Sequence, residues 1–300
     1  MSELVFRQPV ISDAEKARAA LSHSGYRGCE CTFGNNFSWR GVYDIGVCFF
    51  GEFYFCRFGK GDNVRFTAPS GGDVIEGVSL LREYCESIGI PLRILADRER
   101  AELICGEFPE AAAEYDRDSS DYVYLAEDLA LLRGKKFHAK RNHLNRFYEN
   151  DWSFEPLTPA NIGEVEQMNL LWEREAIPPD DPLAAEKHAE ECAVREALKN
   201  FAALRFRGGV LRVNGEVQGF CFGEPSASGD CFVVHAEKAL RRYQGAYAAI
   251  NCEFVKSLGG EYRYINREED TGAENLRKAK LSYNPVFLVD KFNVFFGGQS

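Results

Sequence analysis

The sequence of 300 residues has no long apolar run, fewer basic than acidic residues and no cysteine pair at metal-binding spacing. No uninterrupted apolar stretch approaches the ~20 residues that a membrane-spanning helix needs. Residues 1–7 contain no apolar segment of the length found in signal peptides, so the chain reads as soluble and cytoplasmic. Lys and Arg number 36 against 46 Asp and Glu, a formal net charge of −10, which excludes broad coating of nucleic acid and a DNA partner. Of the ten cysteines, Cys29 and Cys31 are separated by one residue, which is not zinc-pair spacing. Cys48, Cys56, Cys221, Cys231 and Cys252 lie in apolar sequence, where a thiol behaves as a small hydrophobe. Reduced core cysteines, no metal and no tightly bound cofactor are therefore expected. What the chain does have is 45% hydrophobic residues and 23 phenylalanines, enough to fill a sizeable α/β core.

Against the acidic background, one run is basic: Gly134-Lys-Lys-Phe-His-Ala-Lys-Arg-Asn-His-Leu-Asn-Arg-Phe147. Lys135, Lys136, Lys140, Arg141 and Arg146 have no acid among them, which suggests a localised site for phosphate or carboxylate. Read as a helix, the run places Phe137, Leu144 and Tyr148 in one apolar stripe, with Lys140 and Arg141 on either side of it. These two cations border a buried face and can reach into a cleft. The plainer alternative is a basic surface helix paired with surrounding acids. His138 and His143, five apart, are a poor metal motif; His143 is a possible donor to an anion.

Elsewhere, Ser12-Asp-Ala-Glu15 has the pattern of a capping box opening a helix to about Leu21. Cys48–Phe58 reads as paired strands, Val74–Ile88 as a helix and Pro91–Ala96 as a buried strand. Tyr122–Leu125 reads as another strand. Thr158-Pro159 predicts a helix start, residues 176–182 a proline-rich loop and 184–201 a helix. Asn214-Gly215 marks a hairpin between Val210–Val213 and Val217–Phe222. A strand at Cys231–Glu237, a helix to about Leu258, a strand at Tyr262–Ile265, a helix at Glu274–Leu281 and a strand region at Val286–Phe296 complete the chain. Tyr84–Leu95 echoes Phe254–Ile265, with Ser87, Gly89 and Arg93 matching Ser257, Gly259 and Arg263. Val123–Glu127 likewise echoes Val286–Asp290. These echoes predict two related α/β halves, residues 1–130 and 131–300.

Two further constellations carry chemistry. The apolar strand Cys231–Glu237 is followed by Arg241-Arg242-Tyr243-Gln244-Gly245-Ala246-Tyr247, a glycine turn opening a helix, which offers free backbone N–H groups to an anion. His235 and Glu237, two apart on the strand, share a face, and either is a candidate proton acceptor; the alternative is a core histidine and a surface glutamate. Asn266, Arg267 and the acids after them sit where α/β proteins place ligands, or form a self-neutralised loop. Tyr283 is a candidate general acid or a core aromatic.

The order hairpin, strand, Arg-x-x-Gly loop, helix, strand, helix with Ala279 and Tyr283, final strand resembles the Gcn5-related N-acetyltransferase fold over residues 150–300. More specifically, GKKFHAKRNHLNRF, VVHAEKA at 233–239 and YINREEDTGAENLRKAKLSYNPVFL at 264–288 resemble soluble bacterial relatives of the C-terminal domain of phosphatidylglycerol lysyltransferase. That match spans nearly the whole chain, and the related Fem-type peptidyltransferases have twin domains. The resemblance implies two tandem acetyltransferase-like domains, each a mixed sheet flanked by helices, the second being the active one. It implies transfer of an aminoacyl group from aminoacyl-tRNA, or an acyl group from acyl-coenzyme A, to an amine or hydroxyl of a small-molecule or peptide-like acceptor. Backbone donors at Val234–Glu237 would polarise the carbonyl, and Arg242, Gly245 and Ala246 would hold donor phosphates. Lys136, Lys140 and Arg141 would hold a phosphate or carboxylate, Glu237 or His235 would accept a proton and Tyr283 would serve the leaving group. A binding module that senses an anionic metabolite or tRNA end is the alternative. Tyr247 departs from the small residue expected at its position, which counts against coenzyme A pyrophosphate.

Overall fold

Phe220 and Phe222 point to one side of the strand Glu216–Pro225 and Cys221 between them points to the other; all three are buried. A strand buried on both faces must lie inside a sheet covered by helices on both sides. The computed structural model describes residues 4–177, 180 and 184–297 and shows this arrangement. Most of the proline-rich stretch at 176–182 lies outside the described residues.

Helices α1 (Ala14–Ser22) and α2 (Phe33–Ser38) precede the hairpin β1 (Gly46–Phe50) and β2 (Phe53–Phe58). Next come β3 (Arg65–Thr67), α3 (Val74–Ile88), β4 (Arg93–Asp97), α4 (Arg98–Glu107), β5 (Ala111–Leu125) and α5 (Ala126–Leu131). The second half holds α6 (His138–Tyr148), β6 (Trp152–Pro156), α7 (Ile162–Ala176), α8 (Ala184–Lys199), β7 (Arg207–Val213) and β8 (Glu216–Pro225). It ends with β9 (Cys231–Ala239), α9 (Ala246–Ser257), β10 (Tyr264–Asn266), α10 (Glu274–Leu281) and β11 (Phe287–Phe296).

The expected pair of separate sheets does not form. All strands join one 11-stranded mixed sheet in the order β1-β2-β3-β4-β11-β5-β10-β9-β8-β7-β6. The physical reason lies in the two long strands at its centre. β5 pairs antiparallel with both β10 and β11, and β11 pairs antiparallel with both β4 and β5, so neither half has a free edge at the junction. On each side of this pair a parallel crossover follows: β3–α3–β4 in one half, β9–α9–β10 in the other.

One face of the sheet carries a core shared by α1, α2, α7 and α8, with Phe33, Phe37, Val165, Val194, Phe220 and Phe222 among its buried residues. The other face carries two cores. One lies under α3 and α4 and contains Val78, Leu81 and Ile104. The other lies under α5, α6 and α9 and contains Leu129, Phe137, Leu144, Phe147 and Ile250. No helix among the described residues is long and apolar enough to cross a membrane.

Two helix starts differ from the sequence reading. Ser12 does not cap α1; the Asp13 carboxylate accepts from Val10 N at 2.8 Å and pairs with Arg7 at 2.7 Å, so the turn before the helix is held from Asp13. Thr158 does not cap α7 either. Its own N–H donates to Asn161 Oδ1 at 2.8 Å, a turn that delays the helix to Ile162.

Candidate functional site

Gly245 fixes the geometry of a cleft between α6 and α9. Its φ is +91°, and a Cβ there would lie 2.0 Å from the carbonyl oxygen of His143 on α6, so only glycine allows the two segments to touch. That contact brings α6 against the amino-terminal end of α9. Between them opens a cleft of about 240 Å3 lined by Lys140, His143, Arg241, Gly245, Ala246 and Tyr283, among others. The first turn of α9 presents backbone N–H groups and the positive end of its dipole to this space.

Lys140 is the unusual cation here. Its ammonium lies 3.9 Å from the centroid of the Tyr283 ring, and it forms no salt bridge among the described residues. Burial, reinforced by the Arg267 charge, lowers it to about 8. Arg267 lies behind Tyr283, 4.7 Å from its ring centroid. Burial raises the Tyr283 phenol to about 12, so it keeps its proton at neutral pH and remains a donor. Tyr247 also lines the cleft, its hydroxyl accepting from Trp172 Nε1 at 2.7 Å.

His235 and Glu237 do not share a face, contrary to the simple alternation. β8 and β9 shift register between Phe222 and Gly223: Phe222 faces Ala236 and Gly223 faces Val234, leaving His235 as the extra residue of a bulge. Val234 belongs to the core under α9, Ala236 to the core on the opposite face. His235 turns towards the latter side, where its ring lies 5.5 Å from that of Phe206. There Nδ1 meets Glu268 at 2.8 Å and Nε2 meets Glu224 at 3.2 Å. Burial alone would lower this imidazole, but the two carboxylates outweigh it and hold it up to about 9. At neutral pH it is a cation with both nitrogens engaged. Glu237 faces α9, accepting from Arg267 at 2.7 Å and from Asn251 at 2.9 Å. The parallel ladder between β9 and β10 ends at Val233 and Asn266, so the strands part at the bulge.

The remaining candidates divide. Lys140, His143, Gly245, Ala246 and Tyr283 come together at the cleft. Arg141 donates instead to the carbonyl oxygens of Leu132 and Gly134, tying down the turn before α6. Lys136 is paired with Asp128 at 2.7 Å, and Arg242 reaches Glu175 at 3.5 Å, both at the surface. Asn266 is fully buried and donates to the Arg27 carbonyl and to Asp121, each at 2.8 Å. Arg241, Tyr243 and Gln244 line the cleft without having been assigned a role from sequence; their position in the glycine turn was the available signal.

A second charged cluster is closed. Cys29 Sγ, Asp121 and Glu269 bring ligand atoms within 4.8 Å of one another, a grouping with metal-like chemistry. The Lys291 ammonium stands among them, 2.7 Å from Asp121, 2.9 Å from Glu30 and 3.5 Å from Cys29 Sγ. It supplies the positive charge that those acids require. Burial raises Glu269 to about 7 despite this cation, with Glu268 adding to the rise. Lys280 is bound to the carbonyls of Arg267, Glu268 and Glu269 and shapes the loop after β10. The ten cysteines are free thiols, eight of them buried.

The family described as phosphatidylglycerol lysyltransferase, C-terminal, matches residues 22–295. A conserved protein of unknown function from Bacteroides thetaiotaomicron has a solved structure that superposes with a TM-score of 0.92; it is 36% identical and the match covers 98% of this chain and all of that one. The C-terminal domain of a putative lysylphosphatidylglycerol synthetase from Agrobacterium fabrum shares the fold at a TM-score of 0.68, 13% identity and coverage of 95% and 93%. L-PGS from Bacillus licheniformis does so at 0.67, 15% identity and coverage of 96% and 93%. An uncharacterised protein of Mycoplasmoides gallisepticum is 25% identical over 186 residues, 59% of this chain; the match spans about half, 56%, of that curated relative.

Proposed function

This chain belongs to the family of phosphatidylglycerol lysyltransferase C-terminal domains, and on that premise we propose that it transfers an aminoacyl group from aminoacyl-tRNA to an amine or hydroxyl acceptor. The acyltransferase-like character comes with the family; the donor and acceptor are our reading. One observation carries it: a half-buried cation, Lys140, with no salt bridge among the described residues, shares a cleft with the start of α9 and with a protonated phenol, Tyr283. Lys140, His143, Arg241 and the α9 N–H groups suit the phosphates of a tRNA acceptor end. Tyr247, held by Trp172, stands where a coenzyme A pyrophosphate would need a small residue, which favours the ester donor.

In this reading the acceptor nitrogen or oxygen attacks the ester carbonyl carbon. Backbone donors where β9 and β10 part, around Val234–Glu237, stabilise the oxyanion. The new bond forms, the ester C–O bond breaks, and Tyr283 gives its proton to the departing ribose oxygen. The proton released by the attacking atom restores the phenol. Neither His235, already protonated, nor Glu237, held by Arg267 and Asn251, is a free base, so positioning supplies most of the rate. The same two engaged side chains favour the second reading, a binding module without turnover.

Incubation with aminoacyl-tRNA labelled in its amino acid, beside an arm with labelled acetyl-coenzyme A, separates the readings. Label appearing on an amine acceptor with release of free tRNA supports the proposal. Thiol release in the other arm transfers the role to coenzyme A, and binding of either donor without turnover supports the module.

A further inference from the structure

What surrounds a lysine ammonium decides whether the amine beneath it can react. Lys136, Lys238, Lys256, Lys278 and Lys291 each have a carboxylate within 3.3 Å and are tied into ion pairs. Lys16, Lys60, Lys135 and Lys199 are exposed to water. Lys140 has neither surrounding: it is half-buried against the Tyr283 ring, forms no salt bridge among the described residues and opens onto the cleft. The cleft itself has one sign of charge. Lys140, His143 and Arg241 line it, and no Asp or Glu is among the lining residues. Backbone donors add to this. Ala246 N donates to Tyr243 O at 3.2 Å and Ala249 N to Gly245 O at 2.9 Å. Between them, the N–H groups of Tyr247 and Ala248 have no backbone acceptor among the described residues.

We propose that Lys140 is a covalent modification site, N-acylated by small acyl phosphates that enter this cleft. Such a reagent joins an electrophilic carbonyl to a phosphate dianion, and the phosphate is the part that a wholly basic cleft attracts. The ammonium first gives a proton to water, and the free amine attacks the carbonyl carbon. A C–N bond forms, the C–O bond to the phosphate breaks, and phosphate leaves with the electron pair and takes the second proton. The products are an amide on Nζ, hydrogen phosphate and one released proton. Groups from three other elements bear on the amine. Burial and the Arg267 guanidinium after β10 lower it to about 8, and Glu237 on β9 opposes them. That carboxylate is itself engaged by Arg267 at 2.7 Å and Asn251 at 2.9 Å. Tyr283 faces the amine as a neutral phenol, and His143 and Arg241 share the cleft. An acyl group on Nζ abolishes the cation, so in the transfer reading the modification blocks the donor site.

Only that last consequence rests on the transfer reading; the acylation itself does not. The full chain is incubated with acetyl phosphate at pH 7.5, without tRNA, and acetylation of each lysine is followed by mass spectrometry of digests. Lys140 is expected to react at least tenfold faster than Lys135, which is exposed just before α6. Its rate should level off above about pH 8. Arg241→Gln should slow Lys140 at least threefold with acetyl phosphate and leave its rate with uncharged acetic anhydride within twofold. That pair of reagents separates attraction of the anion from damage to the fold. Reaction of Lys140 no faster than Lys135, a rate still climbing at pH 10, or equal slowing of both reagents by Arg241→Gln overturns the proposal. Transfer is measured apart, with chain acetylated at Lys140. Its loss supports the blocking role, and undiminished transfer overturns that role. No transfer by the unmodified chain would sink the transfer reading and leave the modification site standing.

Discussion

A buried lysine, Lys291, and a half-buried one, Lys140, differ in the one respect that separates a site from a scaffold. Lys291 is enclosed by Asp121, Glu30 and Cys29, all within 3.5 Å, and its ammonium is held well above the ordinary lysine range although burial opposes this. Lys140 faces an open cleft, has an aromatic ring beside it and no salt bridge among the described residues, and is lowered to about 8 by burial and the Arg267 charge, which outweigh the opposing charge of Glu237. The first arrangement is complete without a ligand. The second leaves a desolvated cation unsatisfied, and an anion entering the cleft would supply what is missing.

The largest break in this comparison is expected at Lys291. Lys291→Ala leaves the Asp121 carboxylate buried and unpaired, and should destabilise the fold by about 3–5 kcal/mol in urea unfolding. Arg141→Ala comes next. It strips the charged donor from the carbonyls of Leu132 and Gly134 and should cost about 1.5–3 kcal/mol by the same measurement. For this reason a double variant of Lys140 and Arg141 would confuse loss of site with loss of fold, and the two must be changed singly.

The pH dependence sharpens the comparison from a third group. His235 is raised from 6.5 to about 9, so its bracketing by carboxylates stabilises the fold fully below pH 6.5 and is lost as pH rises through 9. Lys140 works in the opposite direction, its penalty being relieved as pH rises from about 8 to 10.5. Unfolding free energies measured between pH 6 and 9 should therefore fall less steeply in His235→Gln than in the unaltered chain. The smallest effect is expected at Arg242. It is half exposed beside an equally exposed Glu175, so Arg242→Ala should change stability by about 0.5 kcal/mol or less. It should also weaken donor binding less than Lys140→Ala does.

Where hydrophobic period and turn chemistry agreed, the sequence was readable. The hairpin at Asn214-Gly215 and the helix Glu274–Leu281 needed only local pattern, whereas Lys140, Gly245 and Tyr283 were separate candidates that only the fold brings to one cleft. The opening residues of β5, Ala111–Ser120, carry acids and serines that disfavour strands, and Ala111–Asp116 are extended because β11 supplies their partners. α4 was equally hidden, since Ala101 and Ile104 are its only buried residues. The bulge at His235 is a property of the pairing of β8 with β9, and it moved His235 and Glu237 to opposite faces where alternation placed them together. Arg141 and Lys140 are neighbours on one helix. Which of them found carbonyls and which found open space depended on the turn at 132–134, beyond the reach of helical projection.

The central claim, that the unsatisfied cation marks the donor site, is tested most directly by single-turnover transfer from labelled aminoacyl-tRNA with the Lys140→Ala variant. The account predicts at least a tenfold loss of transfer, with a melting temperature within a few degrees of the unaltered protein. Transfer at the unaltered rate by a folded Lys140→Ala protein would contradict it.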